Sequence, residues 1–257
     1  MATQGAPVMR ASLISPLRAA GRTEEVVQRI TEAIHLGLVV DGEQLPTEVE
    51  FAHQLGVSPM TLREALAVLR EQGLVETRRG RTGGTFVRRP ANPPRKPMLD
   101  RIRAVTVSQL RDLADEQFAV SGASARLAAE RASAASLRRL LSLVGQLPKA
   151  QGLGERIRAD SRFHIEVAIA SQSERLTRLE VDLQSSTAGL LWLSYESEAE
   201  LDEVVAEHHA IATAIAEEDG DRARALAERH VQRNLRRLIE LHLRVVEQES
   251  VEVPDEV

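Results

Sequence analysis

The sequence predicts a mainly α-helical protein, with an N-terminal domain of helices and a small β-hairpin followed by a C-terminal all-helical bundle of six or seven helices. Aromatic residues make up only 2% of the 257 residues, so the core must be built from Leu, Val, Ile and Ala, which favours helices. Four prolines within residues 90–97 separate the two parts, because neither a helix interior nor a central strand tolerates them. Apolar side chains then recur at helical spacing over most of residues 107–248.

The N-terminal part is expected to contain three helices and a hairpin. The first helix covers residues 22–37, and the second follows Thr47, which has a glutamate three residues later in the pattern of a capping box. The third begins at Ser58 and Pro59, an N-cap followed by proline at the first helical position, and ends near Gly73. LVET and TFVR are two short strands, joined by the basic turn RRGRTGG.

This order of elements, helix, short turn, helix and basic hairpin, is that of a winged helix-turn-helix. We therefore expect five segments: a flexible arm (1–17), a winged helix-turn-helix (18–88), a Pro-rich linker (89–99), a helical domain (100–248) and an acidic tail (249–257). Within the helical domain, breaks are expected near residues 146–154, 171–173, 196–200 and 219–220.

Charge is unevenly distributed along the chain, whose formal net charge is −5. Residues 1–103 have a balance of +4 and residues 104–257 one of −9, which suggests different partners for the two halves. The absence of cysteine excludes disulfides, thiolate metal sites and a cysteine nucleophile. Because the sequence has neither a signal-peptide pattern nor an apolar run long enough to span a bilayer, we expect a cytoplasmic protein with no membrane partner.

The third helix and the hairpin have the residue types of a DNA reader. A helix whose first turn carries small polar groups can enter the major groove, and Ser58, Thr61 and Arg63 stand there. Glycines at a hairpin tip allow a close approach to DNA, and the neighbouring arginines neutralise phosphates. The candidate contacts to double-stranded DNA are Thr47, Glu48, Ser58, Met60, Thr61, Arg63, Arg78, Arg79, Arg81, Gly83 and Gly84.

Residues 22–88 resemble the DNA-binding domain of GntR-type bacterial transcriptional regulators. The motifs LPTE, LGVS, REAL and GGTFV occur in this order at the spacings of that family. The resemblance implies that Ser58, Thr61, Arg63 and the hairpin around Gly83 contact operator DNA. Val49 and Pro59 stand where the family often has arginines, so the operator sequence cannot be transferred from other members.

In the C-terminal half, three histidines and an aspartate fall on apolar helix faces. Asp160 and His164 are one helical turn apart, and His208 lies on the apolar stripe of LDEVVAEHHAIATAIAEED, with His209 to one side. His230 lies on the apolar face of RARALAERHVQRNLRRLIE. Each histidine alone is more often a hydrogen-bonded core residue than a ligand, whereas the set of four is a candidate site for a divalent metal ion.

Residues 107–245 resemble the helical effector domain, called FCD, of the FadR subfamily of these regulators. The shared features are the Asp–His pair, a Glu-His pair before an apolar helical run, a final histidine some 22 residues later, and GASARLAAERA near the start. The resemblance implies a divalent ion beneath a small carboxylate effector, and we expect Zn²⁺ before Ni²⁺ or Mn²⁺. The implied ligands are Asp160, His164, His208 and His230.

The effector side of this domain departs from the family. Many members carry an arginine and a glutamate on the pocket-side helix, where this chain has DEQFAVSGASARL. The charged anchor is therefore either missing or replaced by Arg126, and Trp192 and Tyr195 are interpreted as packing residues. The candidate effector-binding residues are Gln117, Ser121, Arg126 and Asn234.

We expect a homodimeric DNA-binding regulator, a repressor that a small carboxylate effector releases from its operator or retunes on it. It is not expected to be an enzyme, because no second acid or base stands out beside the four candidate ligands. The alternatives are a helical metalloenzyme with a DNA-binding anchor, which would consume a small acid, and a constitutive dimeric DNA binder, which no ligand would stabilise.

Overall fold

A computed structural model of the chain describes residues 22–39, 41–80, 83–88, 95–195 and 197–252. The chain forms two compact units, Met1–Ala91 and Asn92–Val257. Most of the described residues are helical and the only described sheet has two strands, which confirms the mainly α-helical fold. None of the described helices is both long enough and apolar enough to cross a membrane.

The first unit contains helices α1 (Arg22–His35), α2 (Glu48–Leu55) and α3 (Pro59–Glu71), then strands β1 (Val75–Arg78) and β2 (Gly84–Val87). Both predicted caps are present. The hydroxyl of Thr47 accepts a hydrogen bond from the N–H of Glu50 at 3.3 Å, and that of Ser58 accepts one from the N–H of Thr61 at 3.1 Å. These bonds satisfy donors that the first turn of a helix leaves unpaired.

The two strands are antiparallel, and Val75 is opposite Val87 in the register. The segment between α1 and α2 pairs with the outer edge of β2. The N–H of Leu45 donates to the carbonyl of Thr85, and the N–H of Val87 donates to that of Glu43, both at 2.9 Å. The hairpin is therefore hydrogen-bonded to the rest of the unit as well as packed on it.

The second unit contains seven described α-helices, which agrees with the predicted six or seven. They are α4 (Arg95–Ala104), α5 (Val107–Arg131), α6 (Ala134–Val144), α7 (Leu153–Ala170), α8 (Glu174–Leu193), α9 (Glu198–Ala216) and α10 (Gly220–Glu252), with one 3₁₀ turn (Leu147–Lys149) after α6. The long helices α5 and α10 pack closely against each other. A Cβ on Gly122 of α5 would come within 2.9 Å of the Glu228 carboxylate of α10, so the small residue permits this approach.

Helix α4 begins inside the predicted linker, residues 89–99, which corrects that prediction. Pro97 is the third residue of the helix, where a missing N–H costs nothing because the first turn has no internal acceptor for it. Ile102 of α4 is fully buried against α8 and α10, and this packing stabilises the helix. Residues 89–94 and the predicted arm, 1–17, lie outside the described residues.

Two other boundaries differ from the expectation. A break at Ala132 and Ser133 separates α5 from α6, although the sequence on both sides is rich in good helix formers. The hydroxyl of Ser133 caps α6 by accepting a hydrogen bond from the N–H of Ser136 at 3.1 Å. At the C-terminal end, α10 continues to Glu252 and so extends into the predicted tail, residues 249–257. Residues 253–257 of that tail lie outside the described residues.

Candidate DNA interface and metal centre

The start of α3 presents small polar groups to solvent. The hydroxyls of Ser58 and Thr61 are 2.9 Å apart, within hydrogen-bonding distance, and both side chains remain at the surface. Arg63 follows one turn later with 61% of its side chain exposed, and its Nε donates to Oε2 of Glu48 on α2 at 2.6 Å. Glu48 therefore holds the Arg63 guanidinium in a defined position beside the start of the helix.

Two large apolar side chains are exposed in the first turns of α2 and α3. Val49 in the first turn of α2 is 71% exposed, and Met60 in the first turn of α3 is 63% exposed. Water-exposed apolar groups next to polar hydroxyls suit base edges, because the methyl group of thymine offers an apolar contact in the major groove.

The hairpin carries the arginines of the wing. Arg78 lies over the ring of Phe86, 4.3 Å from its centroid, and forms an ion pair with Glu76 at 2.7 Å. That ion pair, together with Arg88, lowers the pKa of the Glu76 carboxyl. Arg79 is exposed and has no ion-pair partner among the residues that the structure describes. Arg81 lies outside the described residues.

Gly83 and Gly84 are the two glycines that enter β2. A Cβ on Gly83 would come within 2.6 Å of the carbonyl oxygen of Arg78, and one on Gly84 within 2.4 Å of the Gln44 amide. Gln44 in turn donates from Nε2 to the carbonyl of Gly83 at 3.1 Å. A side chain at Gly83 would collide with backbone, whereas at Gly84 the Gln44 side chain could move and it is the φ of +157° that favours glycine.

In the second unit, the fold brings Asp160, His164, His208 and His230 together from three helices, α7, α9 and α10. Each offers one ligand atom, and these atoms all lie within 4.8 Å of one another. All four side chains are buried. The sequence-based interpretation of these residues as one cluster is therefore geometrically sound, while His209 is exposed and bonded only to Thr213.

The surroundings of the cluster shift the pKa values of two of its histidines in opposite directions. Burial lowers the pKa of His208 well below its ordinary value, and the neighbouring His164 and His230 lower it further. Burial also lowers the pKa of His164, but Asp160 3.7 Å away, with weaker contributions from Glu180 and Glu207, more than offsets this, so that the pKa is raised. A neutral His208 has a lone pair available for a ligand.

A second set of residues orients His230. Its Nδ1 donates to Oε2 of Glu207 at 2.9 Å, and its Nε2 accepts from the amide of Asn234 at 3.0 Å. Asn234 also accepts from the hydroxyl of Tyr195 at 3.1 Å. Burial raises the pKa of the Glu207 carboxyl, but the hydrogen bond from His230 and the charges of Arg233 and Arg237 reverse this and leave it lowered.

This orienting set contains residues that the sequence analysis did not assign. Tyr195 was interpreted as packing, yet burial and the charge of Asp160 raise the pKa of its hydroxyl, which reaches the cluster through Asn234. The Glu180 carboxylate was not identified either. The one sign of this orienting set in the sequence was Glu207 next to His208, since carboxylates commonly orient the histidine ligands of metals.

The residues present fit a divalent metal ion. Neither ring nitrogen of His208 has a hydrogen-bond partner within the described part of the chain, although only 1% of the residue is exposed and buried polar groups are almost always paired. The ring is held by stacking on Phe163, with centroids 4.1 Å apart. Small side-chain movements would place all four ligand atoms at bonding distance, about 2.1 Å, from one ion.

The predicted effector residues have different surroundings. Gln117 and Ser121 are buried on α5, and Asn234 is buried at the cluster. Arg126 is 47% exposed and pairs with Glu130 and Asp221 on the surface, so the hypothesis that it replaces the missing anchor is corrected. It does not line the cavity beside the cluster, which is bounded by Ser121, Ser124, Phe163, His164, Val167, Glu180, Ile211, Ala227, His230 and Val231.

Comparison with known proteins gives the same two parts. Residues 22–87 match the family of bacterial regulatory proteins called gntR, and residues 112–233 match the FCD domain. A Mycobacterium gastri protein that bears the name HTH-type transcriptional regulator RmpR is 42% identical over 86% of this chain and 82% of its own. The galactonate operon transcriptional repressor of Escherichia coli K12 is 28% identical over 86% of this chain and 98% of its own.

A solved structure of a GntR-type regulator from Rhodococcus sp. RHA1 has the same fold, with a TM-score of 0.50 and 20% identity over 86% of this chain and 99% of that one. The chain belongs to the gntR family of bacterial transcriptional regulators and has an FCD domain. It is a DNA-binding transcriptional regulator and not an enzyme.

Proposed function

We propose that this regulator is a repressor whose affinity for operator DNA is controlled by a small carboxylate effector, bound beside a divalent metal ion in the helical unit. One observation carries the proposal: three buried imidazoles and a buried carboxylate converge, and neither ring nitrogen of His208 has a hydrogen-bond partner among the described residues. Repression agrees with the name of the galactonate relative.

The ion would be held by Asp160, His164, His208 and His230. Three nitrogen ligands and one oxygen ligand suit Zn²⁺, and Ni²⁺ and Mn²⁺ accept the same set. When bound, the ion supplies a positive charge and coordination positions for the oxygens of a carboxylate. His230 has a hydrogen bond on each nitrogen, so Asn234 must turn away from Nε2 before that atom can act as a ligand.

On the DNA side, the first turn of α3 would enter the major groove and the hairpin would contact the backbone. At the start of this helix Ser58, Met60 and Arg63 are exposed and Thr61 is half-buried, so all four side chains reach the surface as base contacts require. Glu48 acts by positioning Arg63. The complete set of proposed contacts is Thr47, Glu48, Ser58, Met60, Thr61, Arg63, Arg78, Arg79, Arg81, Gly83 and Gly84.

Replacement of one ligand tests the metal site and the response together. His208→Ala should lose most of the bound metal, melt at a lower temperature and no longer change its operator affinity with effector, because one of four ligands is gone. His209→Ala, its exposed neighbour, is the matched control and should behave like the wild type. Elemental analysis, thermal melting and operator binding with and without added chelator provide the measurements.

Two outcomes would reject the proposal. The first is a His208→Ala protein that keeps its full metal content and still responds to effector. The second is wild-type protein, prepared with metal, whose operator affinity no small carboxylate changes, as a constitutive DNA binder would behave.

A further inference from the structure

A narrow cavity lies beside the four candidate metal ligands, and its opposite wall contains a carboxylate. His164 and His230 border the cavity on the metal side, and Ser121, Ser124 and Glu180 border it from α5 and α8. The volume open to the centre of a water molecule is about 10 Å³, so the cavity can hold one water. Its described lining includes no lysine or arginine.

Glu180 is a buried acid whose described partners are all neutral. Only 1% of the residue is exposed. Its carboxylate accepts hydrogen bonds from the hydroxyl of Ser121 at 3.2 Å and from the amide of Gln184 at 2.9 Å. A carboxylate has about four acceptor positions, so two remain open. Burial of such a group is unfavourable unless a cation or further donors compensate it.

Ser124 is a second sign of a missing donor or acceptor at this wall. This residue lines the cavity and is 1% exposed, and its hydroxyl has no hydrogen-bond partner among the residues that the structure describes. The carbonyl oxygen of the Gln184 side chain is also buried and unpaired. A buried polar atom without a partner is rare in a folded protein, and two such atoms adjoin Glu180: Ser124 shares the cavity lining with it, and Gln184 is bonded to it.

We propose that the effector is a small amino acid, whose ammonium group binds Glu180 and Ser124 while its carboxylate faces the metal cluster. The inference rests on the proposed function, since the metal cluster positions the other end of the ligand. An ammonium group has three donors and one positive charge, which match the open acceptors and the negative charge of this wall. A second carboxylate would be repelled there.

Such a ligand also explains how binding acts on the helices. The cavity is too small for an amino acid as it stands, so its walls must separate. The hydrogen bond between Ser121 and Glu180 links α5 to α8 across the wall, and an ammonium group competes with Ser121 for the same carboxylate. The ligand therefore loosens one helix–helix contact while it forms new bonds to both helices.

The test compares four acids of similar size on metal-loaded protein by calorimetry: alanine, lactate, propionate and succinate. We expect alanine to bind about 10- to 100-fold more tightly than propionate or succinate, because a hydrogen bond between charged groups increases affinity by about this factor. Lactate should bind less tightly than alanine. Glu180→Gln, which keeps the shape of the side chain, should remove the preference for alanine and retain the metal.

Glu174→Gln is the matched control, because Glu174 lies on the same helix with 83% of its side chain exposed. It should preserve the preference. The inference is overturned if lactate or succinate binds the wild type more tightly than alanine, if Glu180→Gln binds alanine as the wild type does, or if metal-loaded wild type binds none of the four acids. Wild-type protein that takes up no metal would instead reject the proposed function, so the two failures are distinguishable.

Discussion

Arg63 and Arg79 are both exposed arginines of the DNA-binding unit, yet their surroundings differ. Arg63 is oriented by Glu48 at 2.6 Å, and it follows the N-cap Ser58 by five residues and Thr61 by two. Arg79 lies on the hairpin with no described ion pair. An oriented guanidinium suits a guanine edge, which needs a fixed direction, whereas a mobile one suits a phosphate, which mainly needs charge.

The two arginines should therefore give different phenotypes. Arg63→Ala should weaken operator binding and reduce base discrimination by about 1–3 kcal/mol at one position. Arg79→Ala should weaken operator and random DNA alike and reduce the salt dependence by about one phosphate contact. Binding to operator and to scrambled DNA over a range of salt concentrations distinguishes them. If both variants lose affinity equally for all sequences, α3 is not the reading helix.

At the scale of elements, the hairpin is fixed at both ends. The segment between α1 and α2 adds backbone hydrogen bonds to β2, and Gln44 binds the carbonyl of Gly83. Arg78 stacks on Phe86 across the strands. A two-stranded hairpin alone is marginally stable in water, so these additional contacts explain how so short a wing holds a defined shape.

Gly83→Ala should disturb this wing. Its Cβ would lie 2.6 Å from the Arg78 carbonyl, a backbone atom that cannot move aside alone, and forced contacts of this kind cost about 1–3 kcal/mol. We expect operator affinity to fall roughly tenfold, as the loss of one charge-assisted contact would cause. Gly145→Ala is the control, since its Cβ meets nothing closer than 3.7 Å. Equal DNA affinity of Gly83→Ala and wild type would contradict the steric assignment.

The elements show what could be predicted from the sequence and what could not. Caps at Thr47 and Ser58 are local features, and the sequence predicts them because each needs only its own first turn. Helix α4 could not be foreseen, because it depends on the burial of Ile102 against distant helices rather than on its own proline-containing sequence. Pro97 is compatible with the helix only because it falls in the first turn.

The candidate site shows the same division. The helical spacing of apolar residues predicted that Asp160, His164, His208 and His230 lie on buried faces. This prediction was possible because the buried face of a helix can be recognised from the sequence of that helix alone. The residues of other helices that contact these four depend on how the helices pack, which the sequence of one helix does not show. Glu180 comes from α8 and has no helical pattern that distinguishes it, and Arg126 was expected at the pocket although its side chain points to the surface.

At the scale of the whole molecule, we expect a homodimer. One winged unit buries little of a DNA groove, and a palindromic operator is matched by a protein with two-fold symmetry. The mass in solution should therefore be twice the 28.3 kDa of the chain. Light scattering or analytical ultracentrifugation measures it directly. A monomer at micromolar concentration, both free and with operator present, would contradict this expectation.

Helix α10 connects two parts of the second unit that are far apart along its axis. Its first half carries His230 at the metal cluster, and its second half carries His242, whose ring bonds to the carbonyl of Ile102 in α4 at 2.9 Å. A helix of 33 residues is about 50 Å long and resists bending. A small rotation of α10 about its own axis at the cavity would therefore turn α4 as well, with no need for any helix to unfold.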